Sequence, residues 1–271
     1  MKFTISIRKL IAGALALSSL CVPLAAISQD DARALLRKAQ DTTSFYETDF
    51  KADYEVLQDK PGEGTRTTNA TIYRRDKVSK WTILIKAPLK DKGKGYLQTD
   101  NSVWFYDPAD KRFTFTSSKD KFQGTNANTS DFAPQLYADN YDIKSADEVK
   151  LGSFDCVLFT LSAKKAKSVD YPEIKIWVSK NDGLTRMKED YSLSGQKLRT
   201  TLIPTYQKIT GSGGKVYWIP VSMQIVDNLK GQKIGGKMVY ERTLISISNA
   251  QLAKQDDVIY TKPYLELMAG N

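Results

Sequence analysis

The 271-residue chain contains no histidine. Histidine is the commonest general base and a common zinc ligand, so its absence excludes Ser-His-Asp and Cys-His catalytic arrangements and most zinc sites. The stretch GSGGK (211–215) has neither a following helix pattern nor a Ser or Thr after its lysine, so we interpret it as a hairpin turn and not as a phosphate-binding loop. We therefore expect no metal and no cofactor.

Two pairs of adjacent carboxylates, Asp147 with Glu148 and Glu189 with Asp190, remain as candidates for acid–base catalysis. Neighbouring residues of a strand point to opposite faces, so neither pair would converge on one substrate. A hydrolase is therefore a weak hypothesis, and we do not expect an enzyme.

Cysteine is almost absent as well. The two cysteines are Cys21, in the N-terminal segment, and Cys156, in the apolar run FDCVLFTLS. If the N-terminal segment is removed, Cys156 stands alone and no internal disulfide can form. Its apolar neighbours predict a buried thiol, so the fold must rely on its hydrophobic core.

Long apolar runs are missing except for a short one near the N-terminus. The segment MKFTISIRKLIAGALALSSLCVPLAAIS has a basic start, an apolar centre and small residues at its end, which is typical of a secretory signal peptide cleaved near Ser28. An uncleaved anchor is less favoured because the run is short for a bilayer, and acylation of Cys21 is less favoured because Leu20 precedes it. We expect a signal peptide over 1–28, one domain over 29–271, and export to the periplasm.

Charge of one sign does not dominate the mature chain. The first 28 residues carry three basic and no acidic residues, which leaves 37 basic against 31 acidic side chains. Four lysines cluster in KAPLKDKGKG (86–95). This cluster is either a solvated loop beside an apolar strand, which we favour, or a patch for anionic head groups or an acidic partner. No nucleic-acid signature is present.

One helix and many short strands are predicted. In SQDDARALLRKAQDTTSF, Ser28 can cap a helix whose apolar residues recur on one face. From residue 50 onward the apolar period changes to two, and about eleven strand-like runs alternate with turn signals, which indicates an antiparallel meander. Residues 123–143 predict a long loop with a short helix, and residues 248–268 predict a short helix and a tail that packs on the sheet.

Several of these strands are apolar or aromatic on both faces. The run SVWFYD places Val103 and Phe105 opposite Trp104 and Tyr106, and similar runs surround Trp177 and Trp218. A sheet with one wet face would alternate apolar with polar residues. The pattern fits a strongly curved sheet that holds a helix or a ligand, or a plain β-sandwich, and alternation alone does not separate them.

Five stretches of the chain, beginning with KGKGYLQTDNSVWFYDPADKRF and TSDF (129–132), occur in a recognisable order. They resemble the LolA-like superfamily of outer-membrane lipoprotein-sorting proteins: the first resembles its Lys-Gly, leucine-strand and Trp-x-Tyr-x-Pro pattern, and the second its Gly-Ser-Asp-Phe loop. YPEIKIWVSKNDGLTRMKEDYSLSGQKLRT, WIPVSMQIVDNLKGQK and VIYTKPYLE follow in the same order. The chain departs from that pattern at Thr129 and at Ala133 to Gln135, and no residue matches the cavity arginine of LolA itself.

The resemblance implies a mainly β (α+β) fold, with an antiparallel, incompletely closed β-barrel, an N-terminal helix and short lid helices around an apolar cavity. We expect Trp104 and Tyr106 to face inward, since their polar tips suit a cavity edge. The candidate lipid-binding residues are Trp81, Ile83, Ile85, Trp104, Tyr106, Phe132, Trp177 and Trp218.

The resemblance also implies a function. We expect a monomeric periplasmic carrier that binds lipoprotein acyl chains or another lipidic molecule and moves it towards the outer membrane. Its partners would be that cargo and an inner-membrane transporter, for example an exporter of the resistance-nodulation-division type. The alternative is a periplasmic sensor or interaction module for envelope components, or an accessory subunit of an inner-membrane exporter.

Overall fold

The computed structural model describes residues 27–99, 102–211 and 213–270. Residues 1–26, which make up nearly all of the predicted signal peptide and include Cys21, lie outside this range. Among the described residues, no helix has the length and apolar character needed to cross a membrane.

The predicted N-terminal helix is confirmed as α1, Gln29–Asp41. Ser28 caps it, since its Oγ accepts a hydrogen bond from the backbone N–H of Asp31 at 3.2 Å. Asp30 and Asp31 lie in the first turn, where the helix dipole favours negative charge. The apolar face buries Ala32, Leu36 and Ala39, so the helix is held by packing as well as by its cap.

The strands of the described residues form one antiparallel sheet, in the order β6-β5-β4-β3-β2-β1-β13-β12-β11-β10-β9-β8-β7. They are β1 (Phe50–Lys60), β2 (Gly64–Arg75), β3 (Lys80–Ala87), β4 (Gly95–Thr99), β5 (Ser102–Asp107), β6 (Arg112–Thr116), β7 (Tyr141–Leu151), β8 (Phe154–Ala163), β9 (Glu173–Ser179), β10 (Thr185–Tyr191), β11 (Lys197–Thr210), β12 (Val216–Ile234) and β13 (Lys237–Leu252). The edge strands β6 and β7 do not pair with each other, so the predicted incompletely closed antiparallel barrel is confirmed.

The sheet has thirteen strands in the described residues, where about eleven were predicted. The run YLQTDNSVWFYD, counted once, forms two strands, β4 and β5. Strand β7 was missed because its sequence, YDIKSADEVKL, is largely polar. It lies at an edge of the sheet, where polar side chains remain in contact with water.

The concave face of the sheet, here called the inner face, carries most of the core. Buried side chains of β1 to β5 and β11 to β13 meet there in one cluster. Farther along the same face, α1 covers Val157, Phe159, Ile174 and Ile176 of β8 and β9. On the outer face, the C-terminal helix α3 (Lys262–Ala269) packs its Leu265 against β3 to β5.

Residues 117–136, here called the inner loop, run from β6 into the hollow of the sheet. They form two short 3₁₀ turns and lead to the one-turn helix α2, Tyr137–Asn140. The loop buries Phe122, Ala127 and Phe132 in the inner core cluster. The predicted long loop with a short helix is thus confirmed, and the loop fills the hollow.

The β12–β13 hairpin extends beyond its neighbours as an arm, residues 229–240. Strand β11 pairs with β12 only as far as Asp227, and β1 pairs with β13 only from Arg242 onward. Every residue of the arm is exposed. Five large apolar side chains are among them, namely Leu229, Ile234, Met238, Val239 and Tyr240.

Candidate functional site

A pocket of about 80 Å³ lies between the inner face and the inner loop. Its apolar lining includes Phe45, Phe50, Tyr54, Phe132, Ile203, Ile219, Met223 and Ile247, and its polar lining includes Thr43, Arg74, Asp131, Gln135, Thr185 and Tyr206. Sites for small organic ligands usually measure about 300–1,000 Å³. The pocket as it stands holds a few water molecules but not an acyl chain.

Phe132 of the inner loop takes up the space that would enlarge this pocket. Its side chain is 2% exposed, and its ring lies 5.7 Å from the ring of Tyr54 and 4.9 Å from that of Phe122. Phe122 in turn lies 5.6 Å from Tyr96. The loop's aromatic side chains therefore make apolar contacts with the sheet of the kind that a lipid tail would make.

Hydrogen bonds between its backbone and sheet side chains hold the inner loop. The N–H of Asn126 donates to Gln58 Oε1 at 3.0 Å and to Thr243 Oγ1 at 2.8 Å. Asn128 precedes the turn Thr129–Phe132: its backbone carbonyl accepts the N–H of Asp131 at 3.1 Å, and its own N–H donates to the Asp131 carboxylate at 2.8 Å. The loop thus docks through a small number of specific polar contacts in addition to Phe122 and Phe132.

Arg74 is a buried cation in the apolar part of the pocket wall. Its Nε and Nη2 atoms donate to Asp76 at 3.0 and 2.6 Å, and its guanidinium carbon lies 4.7 Å from the centre of the Phe45 ring. Asp76 also accepts the N–H of Phe45 at 2.8 Å. Sequence reasoning did not identify Arg74 as a pocket residue. The sequence feature that could have indicated it is the Arg-Arg-Asp at the end of the apolar run ATIYRRD, which places a buried arginine near an aspartate.

A second group of charges lines the inner face of β10 and β11. Asp190 pairs across the strands with Arg199, and Lys188 pairs with Thr201, so all four side chains share one face. Arg199 Nε donates to Asp190 Oδ2 at 2.5 Å, and Lys188 Nζ lies 3.1 Å from Asp190 Oδ1. This part of the inner face, here called the charged wall, was missed in the sequence.

Arg199 also binds the inner loop. Its Nη1 and Nη2 atoms donate to the two carboxylate oxygens of Asp131 at 2.6 and 2.7 Å. Its guanidinium carbon lies 4.7 Å from the centre of the Tyr171 ring. Arg199 is 3% exposed, so this two-point contact is shielded from water and joins the loop to the barrel wall.

The surroundings shift the pKa values of both partners. Burial alone would raise the pKa of Asp131, but the charge and hydrogen bonds of Arg199 outweigh it and lower that pKa below its ordinary value. Burial opposes the charge of Arg199, whereas Asp131 and Asp190 raise its pKa well above its ordinary value. Both groups are therefore charged at neutral pH.

Four buried polar atoms beside this pair have no hydrogen-bond partner. They are Thr201 Oγ1 and Asp190 Oδ1 on the charged wall, the latter with only its ion contact to Lys188, and Asn126 Nδ2 and Asn128 Oδ1 on the inner loop. Buried polar atoms are normally satisfied, so this loop–wall contact has unused hydrogen-bonding groups. Among the described residues, no group of three Cys, His, Asp or Glu could hold a metal ion.

The predicted lipid-binding residues fall into three groups. Phe132 and Trp218 line the pocket. Trp81, Ile83 and Ile85 lie in the inner core cluster, at most 1% exposed, but do not line the pocket. Trp104, Tyr106 and Trp177 lie on the outer face, away from the pocket. Lipid contact by any of these residues stays a prediction.

The expected inward orientation of Trp104 and Tyr106 is wrong. Val103 and Phe105 join the inner cluster, whereas Tyr106 packs with Leu265 of α3. The Nζ atom of Lys262 lies 3.4 Å from the centre of the Trp104 ring. Helix α3 covers this part of the outer face, so aromatic residues are needed on both sides of β5.

Trp177 has a similar explanation. It packs with Cys156, Val149 and Met187 in a separate outer cluster, opposite the face that Ile174 and Ile176 present to α1. The predicted burial of Cys156 is confirmed. Aromatic residues on both faces therefore reflect two covered faces of the sheet.

The lysine cluster of residues 86–95 lies on a loop beside α3. Lys86, Lys90 and Lys92 are exposed, and Lys94 Nζ lies 3.1 Å from Asp91 and 3.3 Å from Asp107. Asp91 also accepts a hydrogen bond from Arg66 at 2.6 Å. These ion pairs fit the solvated-loop interpretation.

Comparison with known proteins shows what the fold is. A family model whose description reads "Uncharacterized protein" matches residues 77–267. A LolA superfamily protein from Nitrosomonas europaea has 20% identity and a TM-score of 0.69, over 86% of this chain and 98% of that one. Because the family model covers more than half of the chain, the protein belongs to the family that this model describes. Its fold is LolA-like.

Two further solved structures share the fold. A putative outer membrane lipoprotein-sorting protein domain from Vibrio parahaemolyticus has 15% identity and a TM-score of 0.69, over 86% of this chain and 97% of that one. A DUF1329 family protein from Desulfovibrio piger has 19% identity and a TM-score of 0.69, over 87% and 98%. No curated protein matches the chain. The resemblance noted in the sequence is thus confirmed for the LolA-like fold.

Proposed function

We propose that this protein is a non-enzymatic carrier that binds an acylated or otherwise lipidic molecule in its LolA-like barrel. The observation that carries the proposal is the continuous apolar inner face of β1 to β5 and β11 to β13, which the inner loop and Phe45 cover in the hollow. Two proteins of the same fold, a LolA superfamily protein and a putative outer membrane lipoprotein-sorting protein domain, support the same class of cargo.

Cargo enters by replacing the inner loop. The present pocket is too small for an acyl chain, whereas the sheet is held by continuous strand pairing. Withdrawal of Phe122 and Phe132 frees apolar surface, and each methylene buried in their place contributes about 0.8 kcal/mol. The lost contacts of the loop offset part of this gain, so binding stays reversible and the cargo can be released.

The proposal includes the place where the carrier works. The signal-like segment 1–28 directs the mature domain, residues 29–271, to the periplasm, where it acts as a monomer. There it takes cargo from an inner-membrane transporter, such as a resistance-nodulation-division exporter, and moves it towards the outer membrane.

The exposed arm favours a second candidate function, an interaction module or accessory subunit of an inner-membrane exporter. Five apolar side chains and three lysines, Lys230, Lys233 and Lys237, lie within residues 229–240, which contain no acidic residue. Apolar side chains exposed in this number are typical of a contact surface. In the carrier function, the arm would be the part that docks on the transporter.

Non-denaturing mass spectrometry of the mature protein, purified from the periplasm, tests the carrier proposal. We expect a fraction with an added mass that is released as an acyl-containing molecule, which would also identify the cargo. A single unliganded mass that persists after incubation with envelope lipids would contradict the carrier function and favour the interaction module.

A further inference from the structure

The link between Arg199 and Asp131 is the feature that says most about the cargo. Arg199 stands on the charged wall, and Asp131 belongs to the inner loop, lines the pocket and lies next to Phe132. If the inner loop withdraws to admit an acyl chain, Asp131 leaves with it, and Arg199 becomes part of the pocket wall.

Withdrawal of Asp131 changes the charge balance of the wall. In the closed arrangement, Arg199 and Lys188 face Asp190 and Asp131, and the buried Asp227 lies opposite Arg199 on β12. Without Asp131, Asp190 and Asp227 remain beside the two cations, but the Nη1 and Nη2 donors of Arg199 lose the carboxylate that they bind. Buried donors of a charged group without an acceptor are unfavourable, so opening for a purely hydrocarbon ligand carries a penalty that an anion in the same place removes.

The wall retains the donors that such an anion needs. The Nη1 and Nη2 atoms of Arg199 form a fork that matches a carboxylate or a phosphate. Thr201 Oγ1, two residues along the same strand face, is buried without a partner and can donate a further hydrogen bond. Lys188 adds a second positive charge. A binding site for an acidic group therefore lies at the border of the apolar hollow.

We propose that the cargo is an amphiphile with an acidic head group, whose carboxylate or phosphate replaces the carboxylate of Asp131 on Arg199 while its acyl chain replaces Phe132. This inference rests on the proposed carrier function and adds the chemical class of the cargo. The ion pair is thus a competitor for the ligand as well as a structural contact.

Three probes with the same acyl chain separate the possibilities. They are monomyristoylglycerol, which is neutral, myristate, which carries a carboxylate, and 1-myristoyl lysophosphatidate, which carries a phosphate. Binding to the full mature protein is measured by titration calorimetry below the micellar concentration of each probe. We expect the acidic probes to bind about tenfold or more tightly than the neutral probe, since hydrogen bonds to charged groups are strong.

Two variants and one control test the exchange at Arg199. Arg199→Met removes the fork, so the ratio of acidic to neutral affinity falls to about one. Asp131→Asn weakens the competitor while Arg199 stays, so both acidic probes bind more tightly than in the wild type and the ratio is kept or increased. Arg242→Met, which removes a different arginine–aspartate pair outside the pocket lining, leaves the ratio unchanged.

The outcomes are distinguishable. If none of the three probes binds, the carrier function itself fails. If all three bind equally, the carrier function survives and the acidic head group is wrong. If only one acidic probe shows the preference, the proposal stands and that probe gives the head group. Should Arg199→Met fail to fold, Asp131→Asn still decides, because unchanged affinity for both acidic probes overturns the exchange.

Discussion

Two regions of the inner face hold the inner loop by different kinds of contact. On β1 to β5 the loop is held mainly by apolar contact, with Phe132 against Tyr54 and Phe122 against Tyr96, beside the hydrogen bond from the Asn126 N–H to Gln58. On β10 and β11 it is held by the ion pair of Asp131 with Arg199. In this account, the apolar region binds any hydrocarbon chain that replaces the loop. The charged wall, in contrast, stabilises only a ligand with an anionic group. The comparison explains how one hollow can hold an apolar chain and still select its head group.

The largest expected effect is a charge placed in the apolar region. Ile83 is fully buried among apolar neighbours, so Ile83→Asp both removes a buried apolar side chain and adds an unpaired charge, and should lower the free energy of unfolding by about 5 kcal/mol or more. Urea unfolding followed by tryptophan fluorescence measures it. A loss below 1 kcal/mol would mean that water already reaches this face and that the region is not the apolar wall described above.

Removal of the loop's aromatic anchor should have the next largest effect. Phe132→Ala should cost about 3–5 kcal/mol, the usual range for a buried phenylalanine, and should enlarge the pocket and tighten acyl-probe binding. Phe115→Ala, at an exposed phenylalanine of edge strand β6 whose ring meets only that of Trp104 edge-on at 5.9 Å among the described ring contacts, is the matched control and should cost no more than about 1 kcal/mol. A folded Phe132→Ala that binds the probes more weakly would place the cargo elsewhere.

Loss of the ion pair alone should be smaller. Asp131→Asn keeps the shape and one acceptor oxygen, so we expect a loss of about 2 kcal/mol at pH 7, within the range for hydrogen bonds to charged groups. Equilibrium urea unfolding measures it. Equal stability of the variant and the wild type would show that the pair contributes nothing to closing the loop.

The same pair predicts a pH dependence. Arg199 lowers the pKa of Asp131 in the folded protein, so its contribution is complete above the ordinary carboxyl pKa of about 4 and is lost as the pH falls below it. The stability difference between the wild type and Asp131→Asn should therefore shrink as the pH falls below that value. A difference that grows in acid would contradict the sign of this shift.

The smallest effect is expected at the unpartnered hydroxyl group of the charged wall. Thr201 Oγ1 is buried without a hydrogen-bond partner, so Thr201→Val removes an unsatisfied group and should leave stability unchanged or raise it by up to about 1 kcal/mol. Thermal unfolding measures it. The same variant should weaken the binding of acidic probes but not of the neutral probe. A marked loss of stability would show that the hydroxyl is satisfied in solution.

Sequence reasoning recovers the features that depend on local pattern. The cap of α1 is encoded by Ser28 and the residues that follow it, and the strands by alternation and turn residues. Strand β7 was not predicted because an edge strand needs few apolar residues, so its sequence lacks the usual alternation. The facing of Trp104 and Tyr106 depends on α3, which lies some 160 residues away in the chain, so alternation alone does not settle it.

The charged wall shows the same limit for the site. Asp131 and Arg199 are 68 residues apart, and neither has an unusual neighbour in the sequence. Asp131 was noticed within TSDF, yet its partner sits in KLRTTLI, which reads as an ordinary strand. An ion pair between a loop and a distant strand follows from the sheet order, and that order comes from the three-dimensional fold.

Hydrogen–deuterium exchange of the protein with and without a bound acyl probe tests most directly whether cargo replaces the inner loop. We predict that binding accelerates exchange at the backbone amides of residues 122–133, whose hydrogen bonds are lost, while the amides of β10 and β11 keep their protection. Slower exchange of the inner loop, or no change, in a complex shown to contain the probe would contradict displacement and place the cargo outside the hollow.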